Sequence, residues 1–118
     1  MVNGAGSRNK GAAFERLVMG AFRSAGWPAA HRTRTPGAAA DMGDIGGLPI
    51  VVECKDRRDT SLGAWLAQAE LAGERANLPA VVIHKRMGTL EPGRQYVTLS
   101  LSTFLWLLRR ALPPPDRP

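Results

Sequence analysis

Apolar positions along the chain fall into four distinct rhythms. Phe14, Leu17, Val18, Ala21, Phe22 and Ala25 recur at helical spacing, which predicts a helix over about residues 8–25, with Gly26 as its stop. The seven residues before it are small and glycine-rich and read as a flexible arm. Residues 27–34 read as a first strand, kept at a sheet edge because Pro28 cannot donate a ladder hydrogen bond, and 35–42 as a flexible connector. Gly46 and Gly47 mark a tight hairpin turn into the β-branched run Ile50-Val51-Val52, which ends in Glu53-Cys54-Lys55. A polar turn at Asp56-Arg57-Arg58-Asp59 leads to Thr60 or Ser61 as helix N-cap, and Leu62, Trp65, Leu66, Ala69, Ala72 and Ala76 mark one face of a helix ending near Asn77. Ala80 to Lys85 is a second buried strand, parallel to the first because a helix joins them.

After a loop over Gly88 to Gly93, residues 94–101 alternate as a half-exposed last strand. Ser102 or Thr103 then caps a final helix from Phe104 to Leu112 that is apolar almost all round, either a packed last helix or a dimer contact. Pro113-Pro114-Pro115 stops it, leaving residues 113–118 as a disordered tail. The whole predicts one domain over residues 8–112, of α/β class, with a mixed central β-sheet flanked by α-helices.

Charge sharpens this picture. Sixteen basic against 10 acidic residues give a net charge of +6, and arginines spread from Arg8 to Arg110 suggest a polyanionic partner. One cysteine excludes an internal disulfide and suits a reducing, cytoplasmic setting. No signal peptide is visible, and no run approaches the ~20 apolar residues of a membrane span.

The candidate chemistry gathers between Asp44 and Lys55, D-I-G-G-L-P-I-V-V-E-C-K. Side chains alternate along a strand, so Glu53 and Lys55 share one face while Val52 and Cys54 take the other. Asp44, on the preceding hairpin arm, reaches the same place. Two carboxylates beside a lysine form a hard-oxygen site for Mg²⁺ with a cation next to it; the ordinary alternative is a solvated cross-pair. Asp41 competes for Asp44's role, but Asp44 opens a strand while Asp41 sits in the loop. Glu15 lies about 100° around the helix from Phe14, at the edge of the apolar stripe. It looks into a groove beside the core or forms a surface pair. His31 and His84 are the only histidines and stand far apart, a cysteine-rich zinc site is excluded, and neither phosphate-loop nor dinucleotide glycine motifs occur.

In order and spacing, Gly11-Ala12-Ala13-Phe14-Glu15 on an early helix, Gly43-Asp44-Ile45, Val52-Glu53-Cys54-Lys55 and a helical Gln68 resemble the PD-(D/E)xK nuclease superfamily. Within it the likeness is to archaeal-type and phage Holliday junction resolvases, and it spans residues 8–86. Gly43 stands where that family usually has proline. The resemblance implies a restriction-endonuclease-like core and a Mg²⁺-dependent DNA endonuclease, with Mn²⁺ able to substitute. It would act as a homodimer that nicks four-way junctions symmetrically. Asp44 and Glu53 would be metal ligands with the Cys54 backbone carbonyl as a third, and Glu15 would help hold a second metal or its water. Lys55 would orient the water or stabilise negative charge, with Gln68 close by. Arg8, Lys10, Arg32, Arg34, Arg57 and Arg58 would contact phosphates. The alternatives are another nuclease of the superfamily, cutting flaps or ends, and a non-catalytic basic module that binds nucleic acid.

Overall fold

The computed structural model describes residues 4–33 and 43–115. Its elements run α1 (Gly4–Ser24), β1 (His31–Arg32), β2 (Ile45–Gly46), β3 (Val51–Lys55), α2 (Leu62–Ala76), β4 (Ala80–His84), a 3₁₀ turn at Pro92–Arg94, β5 (Tyr96–Thr98) and α3 (Leu101–Ala111). The five strands form one mixed sheet in the order β1-β2-β3-β4-β5. β3 and β4 are parallel and the other pairs antiparallel. This is the expected α/β class, a mixed sheet flanked by helices.

Burial explains why β3 and β4 lie at the centre. Helix α1 lays Phe14 and Val18 against Ile45, Val52, Val81 and Ile83 on one face of the sheet. On the other face α2 packs Trp65, Ala69 and Ala72 against Val51, Ala80 and Val82. Ile45, Val51, Val52 and Val82 are the largest fully buried side chains, each stabilising the fold by roughly 1.5–3 kcal/mol. Strands covered on both faces must be apolar almost throughout, which is what the runs at 50–52 and 80–83 provide. Among the described residues no helix is long and apolar enough to cross a membrane.

Several boundaries differ from expectation. Helix α1 begins at Gly4 rather than near Arg8, so it takes in most of the stretch expected as an arm. The first strand is only His31–Arg32, because the chain after Gly26 (φ +115°) turns, held by Trp27 N–H to the Phe22 carbonyl (3.0 Å) and Ala30 N–H to the Trp27 carbonyl (3.1 Å). Ser61 occupies the α2 N-cap position without a side-chain capping bond. Gly47, but not Gly46, takes the left-handed conformation of the β2–β3 turn (φ +77°), and a Cβ there would lie 2.3 Å from the Ala29 carbonyl oxygen.

The last helix starts at Leu101, and its cap is Ser100, whose hydroxyl accepts from Thr103 N–H at 3.3 Å, rather than Ser102 or Thr103. No α3 side chain is buried, so the packed-last-helix reading is overturned: Leu101, Phe104, Leu105, Trp106 and Leu108 face solvent. Residues 116–118 of the expected tail lie outside the described residues.

Candidate active site

Backbone bonding fixes the site before any side chain acts. Gly43 bridges to Val52 with φ +74°, where a Cβ would fall 2.6 Å from the Val52 carbonyl oxygen, so only glycine fits. Asp44 N–H then donates to that same carbonyl at 2.7 Å. From the other side Thr33 N–H donates to the Asp44 carbonyl at 3.1 Å, and the Thr33 hydroxyl donates to the Gly43 carbonyl at 2.6 Å. Braced on both sides, Asp44 directs Oδ2 at the Cys54 N–H, which donates to it at 2.8 Å.

Glu53 is 6 % exposed and is the buried charged residue among those described. Its carboxyl is pushed up to about 7, first by burial, then by the charge and hydrogen bonding of Asp44, with Glu15 adding and Lys55 opposing. Glu15 is also raised, chiefly by burial and partly offset by Arg32, whose Nε donates to Oε1 at 3.0 Å. Lys55 Nζ donates to Gln68 Oε1 at 3.3 Å, so β3 and α2 together position the cation. The Cys54 thiol packs against the α1-side core, as expected, and burial pushes it far above its usual range, which keeps it protonated and unreactive.

The structure therefore brings Glu15, Asp44, Glu53 and Lys55 to one end of the sheet, with Gln68 at its rim. The Cys54 carbonyl is placed by strand geometry. Lys85 N–H donates to the Lys55 carbonyl at 2.9 Å, towards β4, whereas Cys54 N–H points towards Asp44. A residue's N–H and C=O leave a strand on the same side, so the Cys54 carbonyl also faces Asp44.

Among the described residues no three His, Cys, Asp or Glu side chains form a ready donor set for a metal ion. Two carboxylates and a carbonyl are nonetheless enough for Mg²⁺, which keeps several of its waters. The raised Glu53 carboxyl fits such an ion: two acids held together with little solvent leave a surplus of negative charge that a divalent cation would neutralise.

The basic residues divide. Arg32 is committed to Glu15, and Lys10 pairs with Asp56 at 3.4 Å. Arg57 and Arg58 are exposed beyond the end of β3, and Arg8 lies on α1. Arg34 and Asp41 fall outside the described residues. Both histidines make structural bonds, His31 Nδ1 locally with the Ala29 carbonyl (3.0 Å) and His84 Nε2 across to the Thr98 hydroxyl of β5 (2.8 Å). Sequence reasoning missed Thr33 as the brace of Asp44 and the pairing of Arg32 with Glu15. The first joins residues 10 positions apart and the second joins β1 to α1 over 17 positions, and no local pattern encodes either contact.

No family model matches the chain, and no curated protein or solved structure resembles it significantly.

Proposed function

We propose that this chain is a metal-dependent DNA endonuclease of PD-(D/E)xK type with a restriction-endonuclease-like core, a Holliday junction resolvase acting as a homodimer. The observation that carries this reading is the close Asp44–Glu53 pair, braced through the Cys54 N–H and set beside Lys55. Asp44, Glu53 and the Cys54 carbonyl would hold Mg²⁺, or Mn²⁺ in its place. When bound, the ion supplies Lewis acidity and a lowered water pKa.

The protein's own part is positional and electrostatic. Lys55, oriented by Gln68, places an ammonium where charge develops on the phosphoryl oxygens. Arg32 holds Glu15 at the edge of the acidic group. Arg57 and Arg58 extend the cationic surface away from it, where a phosphate backbone would run.

The test is cleavage of a labelled four-way junction beside linear duplex, flap and single strand, with Mg²⁺ or EDTA. Paired symmetric nicks on the junction, lost in EDTA, are expected. Cutting of flaps or duplex alone would keep the nuclease and drop the resolvase, and metal-independent binding without cutting would leave only a nucleic-acid-binding module. In the same assay Lys55→Ala should slow cleavage about 10²–10³-fold, the usual effect of removing one preorganised charge partner; unchanged cleavage would refute its role.

The homodimer rests on α3. An isolated helix of 11 residues is marginal in water, and this one buries no side chain in its own chain. Its Leu101, Phe104, Leu105 and Leu108, with Leu112 just beyond, fall on one face at helical spacing and are 37–71 % exposed. Together they form a contiguous exposed apolar stripe of the kind that marks an interaction surface. A second copy presenting the same face would cover them, as a two-fold dimer requires. Deleting residues 101–118 should halve the mass measured by light scattering while leaving the far-ultraviolet signal of the sheet and the melting transition in place. A truncated chain that stays dimeric would remove α3 as the interface.

A further inference from the structure

One of the cavities outside the acidic site is lined by His84, the residue paired with Lys55 across the sheet. Across the sheet, Lys55 pairs with His84 and His84 with Tyr96, so the three lie in one row over β3, β4 and β5. Paired residues share a sheet face, and Trp65 of α2 meets His84 on that face with ring centroids 5.8 Å apart. His84 and Tyr96 rings follow at 5.5 Å. Exposure grows along this series: Trp65 is buried, His84 half-buried, and Tyr96 49 % exposed on the edge strand. Aromatic rings thus step from the core out to solvent, beginning one strand from Lys55.

The cavity over this row measures about 350 Å³ and is lined also by Arg57, Arg58 and Arg86, with no Asp or Glu among its lining residues. Arg86 sets its guanidinium carbon 5.6 Å from the Tyr96 ring centroid. Lys85 is spent on structure: its Nζ donates to the Arg86 and Thr89 carbonyls at 2.7 and 2.6 Å. Gln95 completes the brace, accepting from Arg86 N–H at 2.7 Å and donating to the Thr89 and Glu91 carbonyls at 3.2 and 2.9 Å. The wall is therefore preformed, and little ordering cost is left for a ligand to meet. Burial pulls His84 below its usual value, so the ring presents a neutral apolar face at physiological pH.

A flat aromatic surface beside three guanidinium groups recognises a planar base with an adjoining phosphate. We propose that this pocket takes one unpaired nucleotide of the bound strand, stacking its base on Tyr96 and Arg86 while Arg57 and Arg58 hold its phosphate. The assignment rests on the DNA-cleavage reading and deepens it. Tyr96 is two strand spacings, about 9.6 Å, from Lys55, so the nucleotide would flank the phosphate placed there. Flaps and single strands offer such a base outright, and a four-way junction offers one when a pair at its branch point opens. Continuous duplex must first be unstacked, and the pocket would therefore select against it.

The experiment is DNA binding in EDTA, followed by the fluorescence of 2-aminopurine placed at a single unpaired position, with fully paired duplex as control. Stacking should quench the probe on binding. Tyr96→Ala should abolish the quenching and weaken binding of the unpaired substrate about ten- to hundredfold, with duplex affinity unchanged. Tyr96→Phe, which keeps the ring, should behave as wild type and shows that the edge strand tolerates substitution. Equal losses on both DNAs, quenching that survives Tyr96→Ala, or displacement of the probe by millimolar dAMP as effectively as by unlabelled strand would overturn the proposal. Tyr96-dependent binding without Mg²⁺-dependent cutting would sink the nuclease reading alone, and cutting with Tyr96-independent binding would sink the pocket alone.

Discussion

Glu53→Gln is expected to abolish Mg²⁺-dependent cleavage and, in the same protein, to raise the melting temperature in EDTA at pH 8. Glutamine keeps the shape of Glu53 and can donate its amide to Asp44. It cannot supply the negative oxygen that a hard cation needs. If the proposed metal site is right, the loss should be about 10³-fold or more, the rate equivalent of about 4 kcal/mol. Stability should move the other way. At pH 8 the wild-type carboxyl, pushed up to about 7 by burial and by Asp44, must ionise in a site that disfavours the charge. Removing that charge should stabilise the metal-free fold by about 2–3 kcal/mol at most, or several degrees of melting temperature. A structural acid would behave differently, since losing a stabilising ion pair lowers stability. A variant that still cuts, or one that melts lower than wild type in EDTA, would refute the assignment.

How much of this could be read in the sequence depends on the range of the contact. β3, α2 and β4 were legible because a buried parallel pair needs two apolar runs and a helical crossover, and the chain spells out all three in order. Glu53 and Lys55 were legible as neighbours from the period of a strand alone. The start of α3 was not: Ser100, Ser102 and Thr103 can all cap a helix, and only the exit of the chain from β5 selects Ser100. The brevity of β1 follows from the helix C-cap at Gly26, whose next residue Trp27 bonds back to Phe22; Gly26 signals the stop, but not how far the turn after it runs before the strand begins. The Thr33 brace, the Arg32–Glu15 pair and the row Lys55–His84–Tyr96 depend on strand register. Register is fixed by the burial of whole strands rather than by any residue at the site. Periodicity revealed what each strand carries, and only pairing revealed what lies beside it.

Metal-free protein should lose stability as pH rises, and Mg²⁺ should restore it. The folded carboxyl of Glu53, at about 7, lies above its ordinary value of 4.5, so between those values the folded state binds the extra proton. The stability this contributes is fully present below pH 4.5 and is lost as pH climbs through 7. The full excursion is roughly 3 kcal/mol. Glu15 is raised as well and adds in the same direction. His84 opposes them: its folded value is lowered by burial, so it makes the fold more stable as pH rises towards 6.5, its ordinary value. The cleanest window is therefore pH 6.5–8, where Glu53 alone should cost about 1 kcal/mol and His84 contributes little. The groups facing Glu53 there are Asp44, Glu15 and Lys55; the Cys54 thiol is pushed too high to titrate. Urea denaturation in EDTA across that window should show falling stability in the wild type and a much flatter profile in Glu53→Gln. Millimolar Mg²⁺ at pH 8 should raise wild-type stability by preferential binding to the folded, ionised pair and leave the variant nearly unmoved. Stability that rises with pH in EDTA, or an equal Mg²⁺ response in both proteins, would mean that Asp44 and Glu53 are not a metal-binding pair.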